Sequence, residues 1–149
     1  MIFARETVAD VWDEALPLLA LHNREVPIIE GMPADPDRAA WERIDKAGAL
    51  ALFVIREPAA CALVGYAVHL VWEHLHYRGK IWAVQDLLYV LPAYRGRTAV
   101  RFLQFCDERL TDIRCSVVLR HVVDVDFSRT LERMGYTACE RGYLRRLNE

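Results

Sequence analysis

The order of apolar patterns along the chain predicts a mixed α/β fold in which helices cover a central sheet. Apolar runs of strand length recur, and between them apolar residues repeat at helical spacing. The resulting order is β-α-α-β-β-β-α-β-α-β-β, which is typical of one layered sheet with its helices. A chain of 149 residues can bury one core, so residues 1–149 are predicted to form a single domain.

The first part of the chain predicts an edge strand at residues 1–5 and then two helices. Thr7 is expected to cap the first helix, and Pro17 to kink or end it. Residues 22–32 are predicted to be irregular. Asp35 is expected to cap the second helix, because it precedes a proline that suits the first helical turn.

Two apolar runs, residues 49–56 and 62–72, predict the next strands. Gly65 inside the second run predicts a bulge or a close approach of two backbones. Further along, residues 115–121 predict a central strand. The chain should end in a short helix capped by Asp124 or Asp126 and a strand pair at residues 136–139 and 143–147, turned near Arg141 and Gly142.

Residues 81–110 carry the most informative pattern. A strand-like run ends at Pro92, which has no N–H to donate, and a basic turn containing Gly96 leads into a helix. The apolar positions of that helix are Ala99, Phe102, Leu103, Cys106 and Leu110. The first turn of a helix leaves N–H groups unpaired and carries about half a positive charge, so this place suits a phosphate.

Residues 90–100 read Val-Leu-Pro-Ala-Tyr-Arg-Gly-Arg-Thr-Ala-Val. They resemble the V-x-P-x-Y and R-G-x-G-x-G/A signature of the GNAT superfamily of acyl-CoA N-acetyltransferases, with Thr98 at a glycine position and Val100 at the final Gly or Ala. Residues 131–136, Leu-Glu-Arg-Met-Gly-Tyr, resemble the closing helix and Gly-aromatic turn of the family. The segment His-Leu-His-Tyr before this motif is similar to short GNAT members of phages and prophages.

The resemblance implies a GNAT-like fold, whose mixed, mostly antiparallel sheet splays between two central strands. It implies transfer of an acetyl group from acetyl-CoA, the acyl-donor co-substrate, to a primary amine that attacks directly. Strand main chain would hold the pantetheine arm and the thioester, and helix N–H groups would hold the pyrophosphate. The region between the first two helices would line the acceptor pocket. The cofactor-binding residues implied are Leu88, Tyr89, Val90, Arg95, Gly96, Arg97, Thr98, Ala99, Val100 and Arg101.

Asp86 is the candidate catalytic base that takes a proton from the ammonium. It lies where many members of the family carry a carboxylate, and strand alternation is expected to put it on one face with Leu88 and Val90. Burial would raise the pKa of its carboxyl, which suits a base or the anchor of a water relay. In the alternative interpretation, Asp86 only hydrogen-bonds a loop.

Three histidines offer another base, because imidazole titrates near neutral pH. They are His69, His74 and His76. Their spacing lacks a third ligand, so no metal site is predicted. Trp72 could line the acceptor pocket.

The proton donor to the leaving thiolate has no obvious candidate. The family usually has a tyrosine four residues before the closing Gly-aromatic pair, and this chain has Leu131 there. Tyr136 and Tyr143 are expected to pack in the core or a strand. The alternative function is therefore a catalytically silent GNAT-like CoA-binding protein with a regulatory or phage-assembly role.

Composition excludes several classes of partner. The formal charge of −2 argues against nucleic acid, and no apolar run reaches the length of a membrane span. The first residues lack the pattern of a signal peptide. The four cysteines are isolated, which predicts free thiols and a cytoplasmic protein. Strands with exposed aromatic residues, and the dimers common among members of the family it resembles, suggest a homodimer.

Overall fold

The computed structural model describes residues 1–27, 29, 31–122, 127–140 and 142–147. Within them, five strands form one sheet in the order β1-β2-β3-β4-β5. The first three neighbouring pairs are antiparallel, and β4 and β5 are parallel. The predicted fold class is therefore confirmed. The elements are β1 Ile2–Glu6, α1 Val8–Glu25, α2 Arg38–Lys46, β2 Leu50–Arg56, β3 Leu63–Glu73, β4 Ile81–Val90, α3 Arg97–Asp112, β5 Cys115–Arg120 and α4 Ser128–Arg133.

Helices cover both faces of the sheet, because the buried strands carry apolar residues on both faces. In β2, Leu52 and Val54 face α1, whereas Phe53 and Ile55 face α3. The predicted apolar face of α3 is confirmed, with Phe102, Leu103, Cys106 and Leu110 all buried. The core thus lies in two layers, one on each side of the sheet.

Strands β4 and β5 separate at one end, and this opens the site. The pairing of β5 with β4 runs from Ile81 to Gln85, whereas β4 continues to Val90. On its other side β4 carries a bulge, because Val68 pairs with Leu87 and His69 pairs with Gln85. Asp86 is the extra residue, and a bulge of this kind bends its strand. We call the point where the strands part the fork.

Gly65 lies opposite the far end of β4, where two backbones approach closely. A Cβ at this position would meet the carbonyl oxygen of Tyr89 and Cδ1 of Ile55, each at 3.0 Å. The prediction of a close backbone approach at Gly65 is confirmed.

Helix α1 continues past Pro17 to Glu25, so the prediction of irregular structure from residue 22 is wrong for residues 22–25. Proline removes the hydrogen bond to the carbonyl four residues earlier, that of Asp13. Both residues are exposed, so water can bind the carbonyl that is left unpaired. The helix begins as predicted, with Thr7 accepting from the N–H of Asp10.

Helix α2 begins later than predicted, because Asp37 and not Asp35 caps it. The carboxylate of Asp37 accepts a hydrogen bond of 3.1 Å from the N–H of Ala40. That contact satisfies an N–H of the first turn, which a cap two residues earlier would leave unpaired.

The predicted terminal strands do not form in the part of the chain that the structure describes. Residues 136–140 and 142–147 have no strand hydrogen bonding there, and Tyr143 is 89% exposed. A strand exists only through bonds to a neighbour, and the local sequence does not specify that neighbour. The predicted central strand β5 is consequently the edge of the described sheet. Asp124, Asp126 and Arg141 lie outside the described residues.

Candidate functional site

A cleft of about 380 Å³ opens at the fork between β4 and β5. The end of α1, the second half of β4, the start of α3, the end of β5 and α4 all contribute to its walls. The polar or charged side chains on these walls belong to His22, Glu25, Gln85, Asp86, Tyr89, Arg95, Arg120, His121 and Thr130.

The start of α3 offers backbone donors at one end of the cleft. Gly96 precedes the helix with φ of 74° and ψ of −126°, a conformation that essentially only glycine adopts. The N–H groups of Arg97, Thr98 and Ala99 have no acceptor among the described residues. Arg97 and Arg101 are exposed. This arrangement fits the predicted pyrophosphate site.

The guanidinium of Arg95 is not free to bind an anion at the start of α3, because it already contacts other residues. Its guanidinium contacts the carboxylate of Glu25 at 2.6 Å and donates through Nε to the carbonyl of Val90 at 2.8 Å. It also lies over the ring of Tyr89, 5.6 Å from the centroid. The hydrogen bond from Arg95 lowers the pKa of Glu25.

The main chain from Leu88 to Val90 lies along the cleft, beyond the fork. The bulge changes the predicted alternation. Leu88 and Val90 pack on the α3 side, whereas Tyr89 packs on the α1 side. Asp86 is the bulge residue itself, so regular alternation does not decide whether it shares a face with Leu88 and Val90.

Asp86 lines the cleft at the fork with an exposed side chain. Desolvation by the surrounding walls raises the pKa of its carboxyl, and the charge of His121 acts in the opposite direction. His121 directly follows β5 on the other side of the fork. His121 was not among the predicted site residues, although it ends the predicted strand of residues 115–121 and ligands often bind at the carboxyl ends of such strands.

A buried polar cluster closes the base of the fork. The side chain of Arg120 is 2% exposed and donates to Gln85 at 2.6 Å and to the hydroxyl of Tyr136 at 2.7 Å. It also forms an ion pair with Asp107 of α3, whose carboxylate accepts from Tyr136 at 2.8 Å. Desolvation raises the pKa of Tyr136 to about 12, so its hydroxyl stays protonated within this cluster.

The alternative histidine bases lie away from the cleft walls. His69 is fully buried beneath the fork, where desolvation and Arg120 lower its pKa to about 3. His74 and His76 follow the end of β3, at the opposite end of β4, and His74 packs on Trp82 with ring centroids 4.0 Å apart. The interpretation of these histidines as the base is therefore wrong. Trp72 lies near that same end of the sheet.

His22 lies on the α1 wall of the cleft, so the end of α1 borders the site as the resemblance implied for this region. Its Nδ1 is 3.0 Å from the hydroxyl of Tyr66, and its ring stacks on Tyr89 with centroids 5.0 Å apart. Burial lowers the pKa of His22. Neither His22 nor Glu25 stood out in the sequence, because both contacts join residues far apart in the chain.

The α4 wall is mostly apolar. Leu131 is 8% exposed and lines the cleft beside Phe127 and Thr130. The residue at the family's tyrosine position therefore does face the cleft, but it has no proton to give.

No protein-family model and no curated protein sequence matches the chain. Solved structures do. A ribosomal-protein-alanine N-acetyltransferase from Brucella melitensis biovar Abortus 2308 superposes with a TM-score of 0.71 at 20% identity, covering 99% of this chain and 100% of that one. A glucosamine-6-phosphate N-acetyltransferase from Arabidopsis thaliana gives 0.74 at 13% identity, covering 99% and 98%.

An aminoglycoside acetyltransferase from an uncultured soil metagenomic sample, in complex with sisomicin, gives a TM-score of 0.72 at 14% identity, covering 99% of this chain and 95% of that one. At such low identity the likeness concerns the fold. The chain has the GNAT-like acyltransferase fold. Within the described residues, no helix combines the length and the hydropathy of a membrane span.

Proposed function

We propose that this protein is an N-acetyltransferase that moves the acetyl group of acetyl-CoA to a primary amine by direct attack. The observation that carries this proposal is the course of the cleft. It runs from the unpaired N–H groups that begin α3 to the carboxylate of Asp86 at the fork. A donor with a diphosphate needs the first feature, and an acceptor with an ammonium group needs the second.

The donor would lie along β4. The N–H groups of Arg97, Thr98 and Ala99 bind the pyrophosphate, and Arg97 and Arg101 add positive charge. The hydroxyl of Thr98 can donate to a phosphate oxygen. Main chain between Leu88 and Val90 holds the pantetheine arm and the thioester carbonyl. Acetyl-CoA itself supplies the activated acetyl group.

The acceptor would approach past the end of α1 and meet Asp86. A carboxylate attracts the ammonium and then removes its proton, and a raised pKa makes Asp86 a better base than an ordinary aspartate. The solved structures with this fold include enzymes named for alanine of a ribosomal protein, a sugar phosphate and aminoglycosides. The acceptor here is a small-molecule or protein amine.

Release of free thiol from acetyl-CoA, measured across a panel of amines, tests the proposal. Asp86→Asn should lower kcat/KM by about 100-fold while CoA still binds. Activity of the unsubstituted protein should fall as pH falls, because protonation of Asp86 removes the base. Asp112→Asn, at an exposed position on α3, is the matched control. If CoA neither binds nor shifts the thermal midpoint, the proposal fails.

The second candidate is a catalytically silent protein that binds CoA in a regulatory or phage-assembly role. The apolar side chain of Leu131 on the cleft wall favours it. This candidate predicts CoA binding without thiol release for every amine tested. A single domain over residues 1–149, a homodimer and a cytoplasmic location remain predictions from the sequence.

A further inference from the structure

The transfer leaves a thiolate, which takes its proton either from water or from a side chain of the cleft. On the wall formed by β5 and α4, Val122, Phe127 and Leu131 are apolar, and Thr130 carries only an alcohol. Arg120 is held by its ion pair with Asp107. Of the described side chains on this wall, His121 is therefore the one with an acid–base group that is not already held in an ion pair.

The strand register fixes where His121 stands. Gln85 pairs with Arg120, so the next residues on the two strands are Asp86 and His121. Paired strands lie about 4.8 Å apart, so the two side chains start from neighbouring points of the fork. Both line the cleft, one on each strand. The carboxylate and the imidazole thus flank the place where an acyl group beside β4 would react.

We propose that His121 is the proton donor to the sulfur that leaves the thioester, acting opposite Asp86. This inference rests on the proposed acetyl transfer. The amine nitrogen, after losing one proton to Asp86, forms a C–N bond with the carbonyl carbon of the thioester. The C–S bond breaks, its electron pair stays on sulfur, and the sulfur takes the proton of His121.

The protons balance over the turnover. The nitrogen loses two protons on its way from ammonium to amide. The first passes from Asp86 to solvent, and the second restores the proton of His121. The products are the amide, the free thiol of CoA and one proton in water, so the step needs no further reactant.

Few charged side chains surround His121 in the cleft. Asp86 faces His121 from β4, whereas Arg120 beside it is neutralised by Asp107. The described α4 residues that line the cleft, Thr130 and Leu131, carry no charge. Desolvation raises the pKa of Asp86, and the charge of His121 across the fork opposes that rise. The fork therefore holds one carboxylate and one imidazole, Asp86 within β4 and His121 just after β5.

The dependence on the leaving group tests this role. His121→Gln should lower kcat/KM with acetyl-CoA by about 100-fold. With S-phenyl thioacetate, whose aryl thiolate leaves without a proton, it should change kcat/KM by less than about threefold. Asp86→Asn should lose activity with both donors, because the amine must be deprotonated in either case.

Equal losses of His121→Gln with both donors, or no loss with acetyl-CoA, overturn the inference. His121→Asn serves as a second variant, and thermal unfolding and CoA affinity check that both variants fold and bind. His76→Gln, exposed at the far end of the sheet, should behave like the unsubstituted protein. A protein that binds CoA but never releases thiol refutes the acetyl transfer itself, which is a different result.

Discussion

The carboxylate of Glu25 accepts two hydrogen bonds from the guanidinium of Arg95, each with an N–O distance of 2.6 Å. This ion pair links the end of α1 to the turn before α3. These residues are 70 positions apart in the chain and both line the cleft. The pair therefore connects the α1 wall of the cleft to the wall formed by the start of α3. An anion that binds at the start of α3 must share Arg95 with Glu25.

Glu25→Gln should strengthen CoA binding, because it removes a carboxylate that competes with the diphosphate for Arg95. Exposed ion pairs contribute about 0.2–1 kcal/mol, so the affinity should rise by about 1.4- to fivefold. Isothermal titration of CoA measures this change. Glu108→Gln, also exposed but on the middle of α3, should leave the affinity unchanged. Weaker binding by Glu25→Gln would contradict a competitive role.

Gly96→Ala should weaken CoA binding by at least about tenfold, because a side chain at φ of 74° and ψ of −126° strains the backbone by roughly 1–3 kcal/mol and shifts the N–H groups of α3. Gly79→Ala is the matched control, since Gly79 also has a positive φ, of 71°, but lies in the loop before β4. Both variants should unfold at lower urea concentration. Equal loss of CoA affinity in the two variants would refute the pyrophosphate site.

The features that the sequence predicts correctly depend on residues close together in the chain. The apolar face of α3, the end of β4 before Pro92 and the close approach at Gly65 all follow from local patterns. The start of α3 could be predicted as a candidate anion site for the same reason, because a glycine, a turn and a helix follow one another directly.

The remaining features depend on which distant residues meet. The bulge at Asp86 arises from the register between two strands, and Arg120 gains its partners from α3, β4 and the segment after α4. Residues 143–147 were predicted to form a strand, but a strand needs a neighbour that the local sequence does not specify. His121 acquires its place only when β5 aligns with β4.

Asp107→Asn should destabilise the protein strongly, because it leaves the buried guanidinium of Arg120 without its counter-ion. Removing one partner of a buried pair costs about 3–5 kcal/mol. Tyr136→Phe should cost less, about 1–2 kcal/mol, since it deletes one hydroxyl from the same cluster. Urea unfolding measures both values. Asp112→Asn, from an exposed pair with Arg109, should cost less than about 1 kcal/mol; a similar cost for both aspartates would contradict this account.

The stability of the fold should fall in mild acid because of His69. Its pKa is lowered to about 3 in the folded protein by burial and by Arg120, from an ordinary value of 6.5. Between these two values the unfolded chain binds a proton that the folded chain does not, so the free energy of unfolding decreases as pH falls. From pH 7 to pH 5 the expected loss is about 2 kcal/mol.

His69→Gln should flatten this pH dependence, because glutamine keeps an acceptor oxygen for Arg120 but does not titrate. Some slope should remain, since burial also lowers the pKa of His22. Urea unfolding at pH 5, 6 and 7 measures the slope in each variant. His76→Gln, an exposed histidine in the loop before β4, should keep the full slope. If the slope is unchanged in His69→Gln, the proton taken up on unfolding binds to another group, and His69 is not the cause of the acid sensitivity.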